Sequence, residues 1–265
     1  MRFKLTLAID REKYGDCLPL NYQYEQSAVI YKLLASADEK YSAWLHNNGF
    51  QLENGKRFKL FCYSRLKFER YRLLPKAHCV NILGDRVEWL IGFLPEKSTS
   101  EFVEGLFANQ KLVIGNSDYK VLFSVLKVEV LHPVNFQEVM QFVTLSPVCI
   151  REREGDRTQY QMPGSEHYNQ AVLNGLLSRY KAYYGKSFDG DTSGFCLDLQ
   201  GEPKSVLVTI KAGTPQQTRV RGFMYHFKLA APTELLHIAF EGGIGEECSQ
   251  GFGCIGVNSR TDDLS

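Results

Sequence analysis

The chain has 265 residues, 44% of them hydrophobic, which suits one large or two small domains with a substantial core. Its 31 basic and 30 acidic residues leave a net charge of +1, so bulk charge does not announce nucleic-acid binding and any such role needs local basic clusters. No segment approaches the ~20 apolar residues of a membrane span, and seven scattered cysteines without a Cys-x-x-Cys pair point to reduced thiols in the cytoplasm and no membrane partner.

Phe3, Leu5, Leu7 and Ile9 alternate with Arg2, Lys4 and Thr6, which predicts a half-buried strand and argues against a signal peptide. Val29, Ile30, Leu33 and Leu34 recur at helical spacing over Tyr22–Leu34. A second helix is predicted over Asp38–Leu45, with Asp38 as N-cap and Gly49 closing it after Asn47-Asn48. Aromatic and β-branched runs at Lys59–Arg72 and Ala77–Ile91, joined by Leu73-Leu74-Pro75-Lys76, predict a hairpin. A helix at Lys97–Ala108 and more strand at Lys111–Glu129 complete the order β-α-β-β-α-β, a ferredoxin-like unit.

After a Pro-containing joint, Leu131–Asn135, the order repeats. Met140–Ile150 predicts a strand kinked at Ser146-Pro147, Glu166–Tyr184 a helix, Lys204–Lys211 and Thr218–Leu229 strands, Pro232–Phe240 a short helix and Phe252–Val257 a last strand. The polar tail Asn258–Ser265 is expected to fray. The expected fold class is α+β: two tandem ferredoxin-like, RNA-recognition-type domains, 1–132 and 133–265, with a C-terminal glycine-rich loop.

That loop carries two Gly-hydrophobic-Gly elements, Gly243-Ile244-Gly245 and Gly251-Phe252-Gly253. Glycine at this density lets the backbone reach positive φ and bring bare N–H groups to an anion, which predicts a cradle for a phosphate chain. A tight helix-to-strand crossover uses glycine in the same way. Other motifs fall short of a ligand site. Gly185-Lys186-Ser187 lacks the first glycine of an NTPase loop, where Tyr180 stands, and the run from Asp189 ends at Gln200 where a calcium loop needs glutamate. Cys248 and Cys254 have no histidine nearby in sequence. No metal and no cofactor is expected.

Met1-Arg2-Phe3, Tyr31, Leu45-His46, Lys59-Leu60-Phe61-Cys62-Tyr63-Ser64, Val143-Thr144-Leu145-Ser146-Pro147 and the double glycine loop together resemble the CRISPR-associated repeat-processing endoribonucleases of the RAMP superfamily. The resemblance spans residue 1 to about Val257. It implies a metal-independent nuclease that cuts CRISPR precursor RNA within each repeat by 2′-hydroxyl attack, leaving a 2′,3′-cyclic phosphate and a 5′-hydroxyl. It also implies a catalytic triad at Tyr31, His46 and Lys59, with Lys56 as a competing lysine. Repeat RNA is the implied partner, with effector-complex subunits and a second copy of the chain as further candidates. The alternative is a non-catalytic repeat-RNA-binding subunit.

The residue types suit that chemistry. RNA self-cleavage needs a proton removed from the 2′-hydroxyl, one given to the leaving oxygen, and a cation at the phosphorane. A histidine in the last turn of a helix sits where the macrodipole favours a cation, which suits proton donation. Taken singly, His46 reads as a helix cap, Tyr31 as a core-edge aromatic and Lys59 as a solvated strand residue. For RNA contact the candidates are Lys56, Lys211, Arg219, Arg221, Gly243, Gly245, Gly251 and Gly253. Arg219 and Arg221 alternate along one strand face. Arg65 and Lys67 are expected to share a face with Tyr63 and Tyr71 as a basic, aromatic stripe, and Arg151 is expected to be offset by its neighbours Glu152 and Glu154.

Overall fold

Strand β1 (Arg2–Asp10) buries Phe3, Leu5 and Leu7 and sits centrally in its sheet, as its alternation requires. The computed structural model describes residues 1–155 and 157–258, so all but the first residue of the polar tail lies outside them. Helix α1 (Gln23–Ala37) buries Val29, Ile30, Leu33 and Leu34. Asp38 ends it and starts α2 (Glu39–Asn47), accepting the Tyr41 N–H at 2.8 Å. Strands β2 (Phe61–Tyr63) and β3 (Arg86–Phe93) follow, then α3 (Glu96–Ala108), β4 (Lys111–Gly115) and β5 (Lys120–Val130). The antiparallel sheet order is β4-β5-β1-β3-β2. Helices α1 and α3 cross so closely that a Cβ on Gly105 would collide with the Leu33 carbonyl.

The first half departs from the sequence reading in three runs, Lys59–Arg72, Ala77–Ile91 and Lys111–Glu129. Lys59–Arg72 is not one strand: at Arg65 the chain turns away and its N–H bonds the Leu145 carbonyl at 3.0 Å. The predicted turn is real, but its flanks Tyr71–Leu74 and Cys79–Ile82 form a separate small sheet with Cys17–Pro19. Lys111–Glu129 is cut at Asn116, whose side chain accepts the N–H groups of Asp118 and Tyr119 and so turns the chain into an added edge strand.

In the second half, β6 (Val139–Thr144), α4 (Glu166–Tyr184), β7 (Cys196–Leu199), β8 (Lys204–Ile210), β9 (Thr218–Met224), β10 (His226–Ala230), α5 (Thr233–Gly242) and β11 (Ile255–Val257) follow in order. Its sheet runs β7-β10-β6-β11, antiparallel throughout. The run predicted as one strand, Thr218–Leu229, breaks at Tyr225. There the buried phenol meets the Tyr168 hydroxyl at 2.9 Å, and the backbone N–H bonds Thr144 Oγ1. β9 therefore pairs with β8 as a separate hairpin, and β7 takes the sheet position assigned to Lys204–Lys211.

Each half has its own hydrophobic core. Between them, the buried Arg2 guanidinium donates to the Ile255 and Phe240 carbonyls; within the second half, the buried Arg179 donates to the Gly245 carbonyl at 2.5 Å. All seven cysteines are free, and five of them are buried. Among the described residues no helix is long and apolar enough to cross a membrane.

Candidate active site

The C-terminal end of α2 lies against α1. There the exposed His46 ring meets the Tyr31 ring edge-on, with centroids 5.0 Å apart and an interplanar angle of 80°. Tyr31 is half-buried and packs its other side on Phe61 of β2. Asn47 Oδ1 lies 3.1 Å from His46 Nδ1. That contact suits a ring with hydrogen on Nδ1, and Nε2 is the nitrogen it leaves uncommitted.

Two cations fold back over the end of α2, where carbonyls lack helical partners. A short hairpin, Phe50–Gln51 with Arg57–Phe58, brings them there. Lys59 Nζ donates to the His46 carbonyl at 2.6 Å, and Arg57 Nη1 donates to the Asn47 carbonyl at 3.1 Å. Gly49, at φ +62°, makes this approach possible: a Cβ there would lie 2.5 Å from Phe58 O and 3.2 Å from Lys59 Nζ. Burial pushes the Tyr31 phenol far up from its ordinary value, with the neighbouring Tyr41 adding to the shift. Partial burial, then the charge of Arg57, lowers Lys59.

Lys59 also lines a cleft of about 630 Å³ between the 50–58 hairpin, α4 and the glycine loop. Lys56, Arg57 and Arg179 line it too. Among the described residues none of these four cations has a carboxylate within 4.0 Å. The two acidic residues on the loop side, Glu246 and Glu247, are both taken up by Arg151 at 2.5 and 2.6 Å. The cleft therefore presents an uncompensated positive field suited to phosphate. No group of three or more histidine, cysteine, aspartate or glutamate side chains among the described residues is arranged to hold a metal ion.

Comparison with known proteins places the chain in a family. Residues 17–128 match the family model described as CRISPR-associated protein Cas6, N-terminal, and residues 130–257 match that described as CRISPR associated protein Cas6, C-terminal. The chain belongs to the Cas6 family. One relative, the CRISPR-associated endoribonuclease Cas6 1 of Methanocaldococcus jannaschii, is 26% identical over 96% of this chain and 92% of its own length. The CRISPR-associated endoribonuclease Cas6 of Pyrococcus furiosus is 22% identical over 98% and 91%. Among solved structures, a Cas6-related protein from Pyrococcus furiosus superposes with a TM-score of 0.81 at 22% identity, over 98% of this chain and 99% of that one. A RAMP protein binding different RNA substrates gives 0.79 at 21%, over 97% and 99%. The fold is that of Cas6: tandem ferredoxin-like units.

Within this Cas6 fold the glycine loop is not an open cradle. Gly243, Gly245, Gly251 and Gly253 are all buried. The N–H groups of Gly243 and Gly253 bond the Ala239 and Pro147 carbonyls at 3.0 and 2.8 Å, and that of Gly251 approaches Cys248 O at 3.4 Å. Cβ atoms on Gly243 and Gly253 would each come within 2.9 Å of Cys248 Sγ, and one on Gly251 within 2.6 Å of Gln23 Cβ. The density of glycine serves the packing of the two halves against each other. Gly245 and the segment after it, Glu246–Gln250, are the part of the loop that lines the cleft.

Of the predicted basic residues, Lys56 is exposed on the cleft wall. Lys211, Arg219 and Arg221 belong to the β8–β9 hairpin, which packs on Phe252 and on Tyr24 of α1. Lys211 Nζ stands 5.7 Å from the centre of the Tyr24 ring, and Arg219 and Arg221 are exposed on one face, Arg221 donating to Ser205 Oγ at 2.7 Å. Tyr24 precedes Tyr31 by two helical turns on one face of α1, roughly 10 Å along the axis. The proposed basic, aromatic stripe does not form: Tyr63 is fully buried with its hydroxyl on the Gln23 carbonyl, and Lys67 pairs with Glu88. Arg179 escaped the sequence reading, and Arg57 and Arg151 were read there without their roles in the cleft. Arg57 lay in a basic run without distinguishing signal, Arg151 finds carboxylates far along the chain at Glu246 and Glu247, and nothing local marks Arg179 for burial.

Proposed function

We propose that this chain is a metal-independent endoribonuclease that cuts CRISPR precursor RNA within its repeats and releases guide RNAs. The observation that carries this reading is the convergence of Tyr31, His46 and Lys59 beside a cleft lined with unpaired cations. In the reaction the 2′-oxygen attacks the adjacent phosphorus and the bond from phosphorus to the 5′-oxygen breaks. The products are a 2′,3′-cyclic phosphate and a 5′-hydroxyl. His46 acts as the imidazolium: Nε2 gives the leaving oxygen its proton and the ring is left neutral with hydrogen on Nδ1, while the Lys59 ammonium, with two hydrogens not used by the His46 carbonyl, stabilises the non-bridging oxygens. Lys59 serves here instead of Lys56 because its ammonium is tied to the histidine itself.

Tyr31 orients the 2′-hydroxyl and does not deprotonate it, since burial keeps its phenol protonated at neutral pH. The 2′-proton leaves to water. Tyr31→Phe should therefore slow cleavage by only about tenfold, the worth of one hydrogen bond, and leave the shape of the pH–rate profile unchanged. A loss of about a thousandfold or a missing limb of that profile would make the phenol the base. Lys211, Arg219 and Arg221 hold the RNA beyond the first turn of α1, so the strand runs along that helix toward His46. The two ferredoxin-like halves divide near residue 132.

Purified protein should cut its repeat RNA in a single turnover in EDTA, and a 2′-deoxy nucleotide just upstream of the cut should abolish product. Normal cleavage of the deoxy substrate would exclude 2′-hydroxyl attack, and dependence on added metal would exclude the mechanism above. A shifted band without a new RNA end would favour the binding subunit.

A further inference from the structure

One wall of the cleft takes no part in the cleavage chemistry. Helix α4 buries Val172, Leu173, Leu176 and Tyr180 in the second core. Beside that core face, Ala171, Asn174, Gly175 and Ser178, at the spacing of one helix stripe, front the cleft. Three of those four side chains are small, which leaves room, and about 630 Å³ is within the range of pockets that enclose a small organic molecule. The fourth is an exposed amide: Asn174 Oδ1 accepts from Gln170 Nε2 at 3.0 Å, so both hydrogens of its own amide remain to donate. Ser178 is half-buried, and among the described residues its hydroxyl makes no hydrogen bond. Across the loop side, Gln250 gives its amide N–H to Glu247 at 2.7 Å and keeps its carbonyl oxygen open.

The charges are arranged unevenly over these walls. Lys56, Arg57 and Lys59 stand along the hairpin, whereas the accessible part of α4 offers a neutral amide and a hydroxyl, its one cation on this wall, Arg179, being buried and engaged by the Gly245 carbonyl. A phosphate is drawn to the first wall, and the second has the donor and acceptor groups that match a base edge. Lys59 belongs both to this cleft and to the His46 cluster, so whatever fills the cleft abuts the reacting phosphate.

We infer that the cleft is a base-reading subsite that takes one nucleotide flanking the cut, its phosphate toward Lys56 and Arg57 and its base against Asn174 and Ser178. The inference rests on the nuclease function proposed above. Both side chains lie on a helix surface beside its core face, so the Asn174→Ala, Ser178→Ala double variant should keep the fold.

The test is a cycle of single-turnover rates: wild type and double variant, each on repeat RNA that is intact or has an abasic residue on one side of the cut or the other. In the wild type, an abasic residue at one of the two positions should cost about tenfold, and in the double variant less than twofold. An equal penalty in both proteins, or none at either position in the wild type, overturns the subsite. If the wild type makes no product, the nuclease reading fails separately. The same cycle is then run on RNA affinity, where an unchanged abasic penalty overturns the subsite as well.

Discussion

His46→Ala should slow single-turnover cleavage of repeat RNA by about 10²–10⁴-fold, the range for a positioned acid or base, while RNA affinity stays within about twofold. The separation follows from how the site is held. Lys59 is anchored by the His46 carbonyl and not by the imidazole, and alanine keeps both that carbonyl and the helix around it. The ring touches Tyr31 and Asn47 at an exposed helix end, so little packing is lost with it. The cations of the cleft and of the β8–β9 hairpin, which dominate affinity in the proposed complex, are untouched. Asn47→Ala removes only the oxygen that orients Nδ1 and should cost about tenfold. Rates and affinities falling in parallel for His46→Ala would mean that the histidine only binds RNA, and an unchanged rate would remove it from the chemistry.

The convergence behind that prediction has no local signature. Residues 31, 46 and 59 lie on a helix, at the end of the next helix and just after a hairpin, and periodicity reports only the first two elements. Resemblance to a family singled the residues out; the fold brings Tyr31 and His46 together and ties Lys59 to the helix end. Where local patterning decides, the sequence was readable. The apolar spacing of Val29, Ile30, Leu33 and Leu34 gave α1, Asp38 gave the cap of α2, and the alternation from Phe3 gave β1.

Tertiary contacts explain the misses. Thr218–Leu229 is continuous in strand-forming residues, and only the partners Tyr168 and Thr144 divide it at Tyr225. β7 is four residues long and follows a stretch rich in glycine, aspartate and serine, so nothing in the sequence outweighs the longer β8 as the sheet strand. Arg2 and Arg179 look like surface cations until carbonyls far along the chain, those of Ile255 and Gly245, accept them. In the glycine run the requirement for positive φ was legible, because glycine density reports backbone conformation. Whether the freed N–H groups face an anion or another carbonyl is decided by residues such as Pro147 and Ala239, far away or on the preceding helix.

Gly253→Ala tests that distinction directly. Gly253 sits at φ +71°, where a Cβ costs roughly 1–2 kcal/mol. The added carbon would collide with the Ile244 carbonyl and stand 2.9 Å from Cys248 Sγ, and overpacking of that kind costs about 1–3 kcal/mol more. The variant should thus lose about 2–5 kcal/mol in chemical denaturation. Gly213→Ala is the matched control: it has φ +74° but nothing within 4 Å of the added carbon, so only the conformational part, about 1–2 kcal/mol, applies. The excess at Gly253 measures the packing of the loop, since its N–H holds Pro147 O and its carbonyl holds the Ile244 N–H at 2.9 Å. Equal losses at the two positions, together with weakened RNA binding at Gly253 alone, would restore the loop as a phosphate cradle. A larger loss at Gly253 with unchanged RNA affinity per folded molecule makes these glycines the seam of the fold, and leaves RNA contact to the side chains of the cleft and the hairpin.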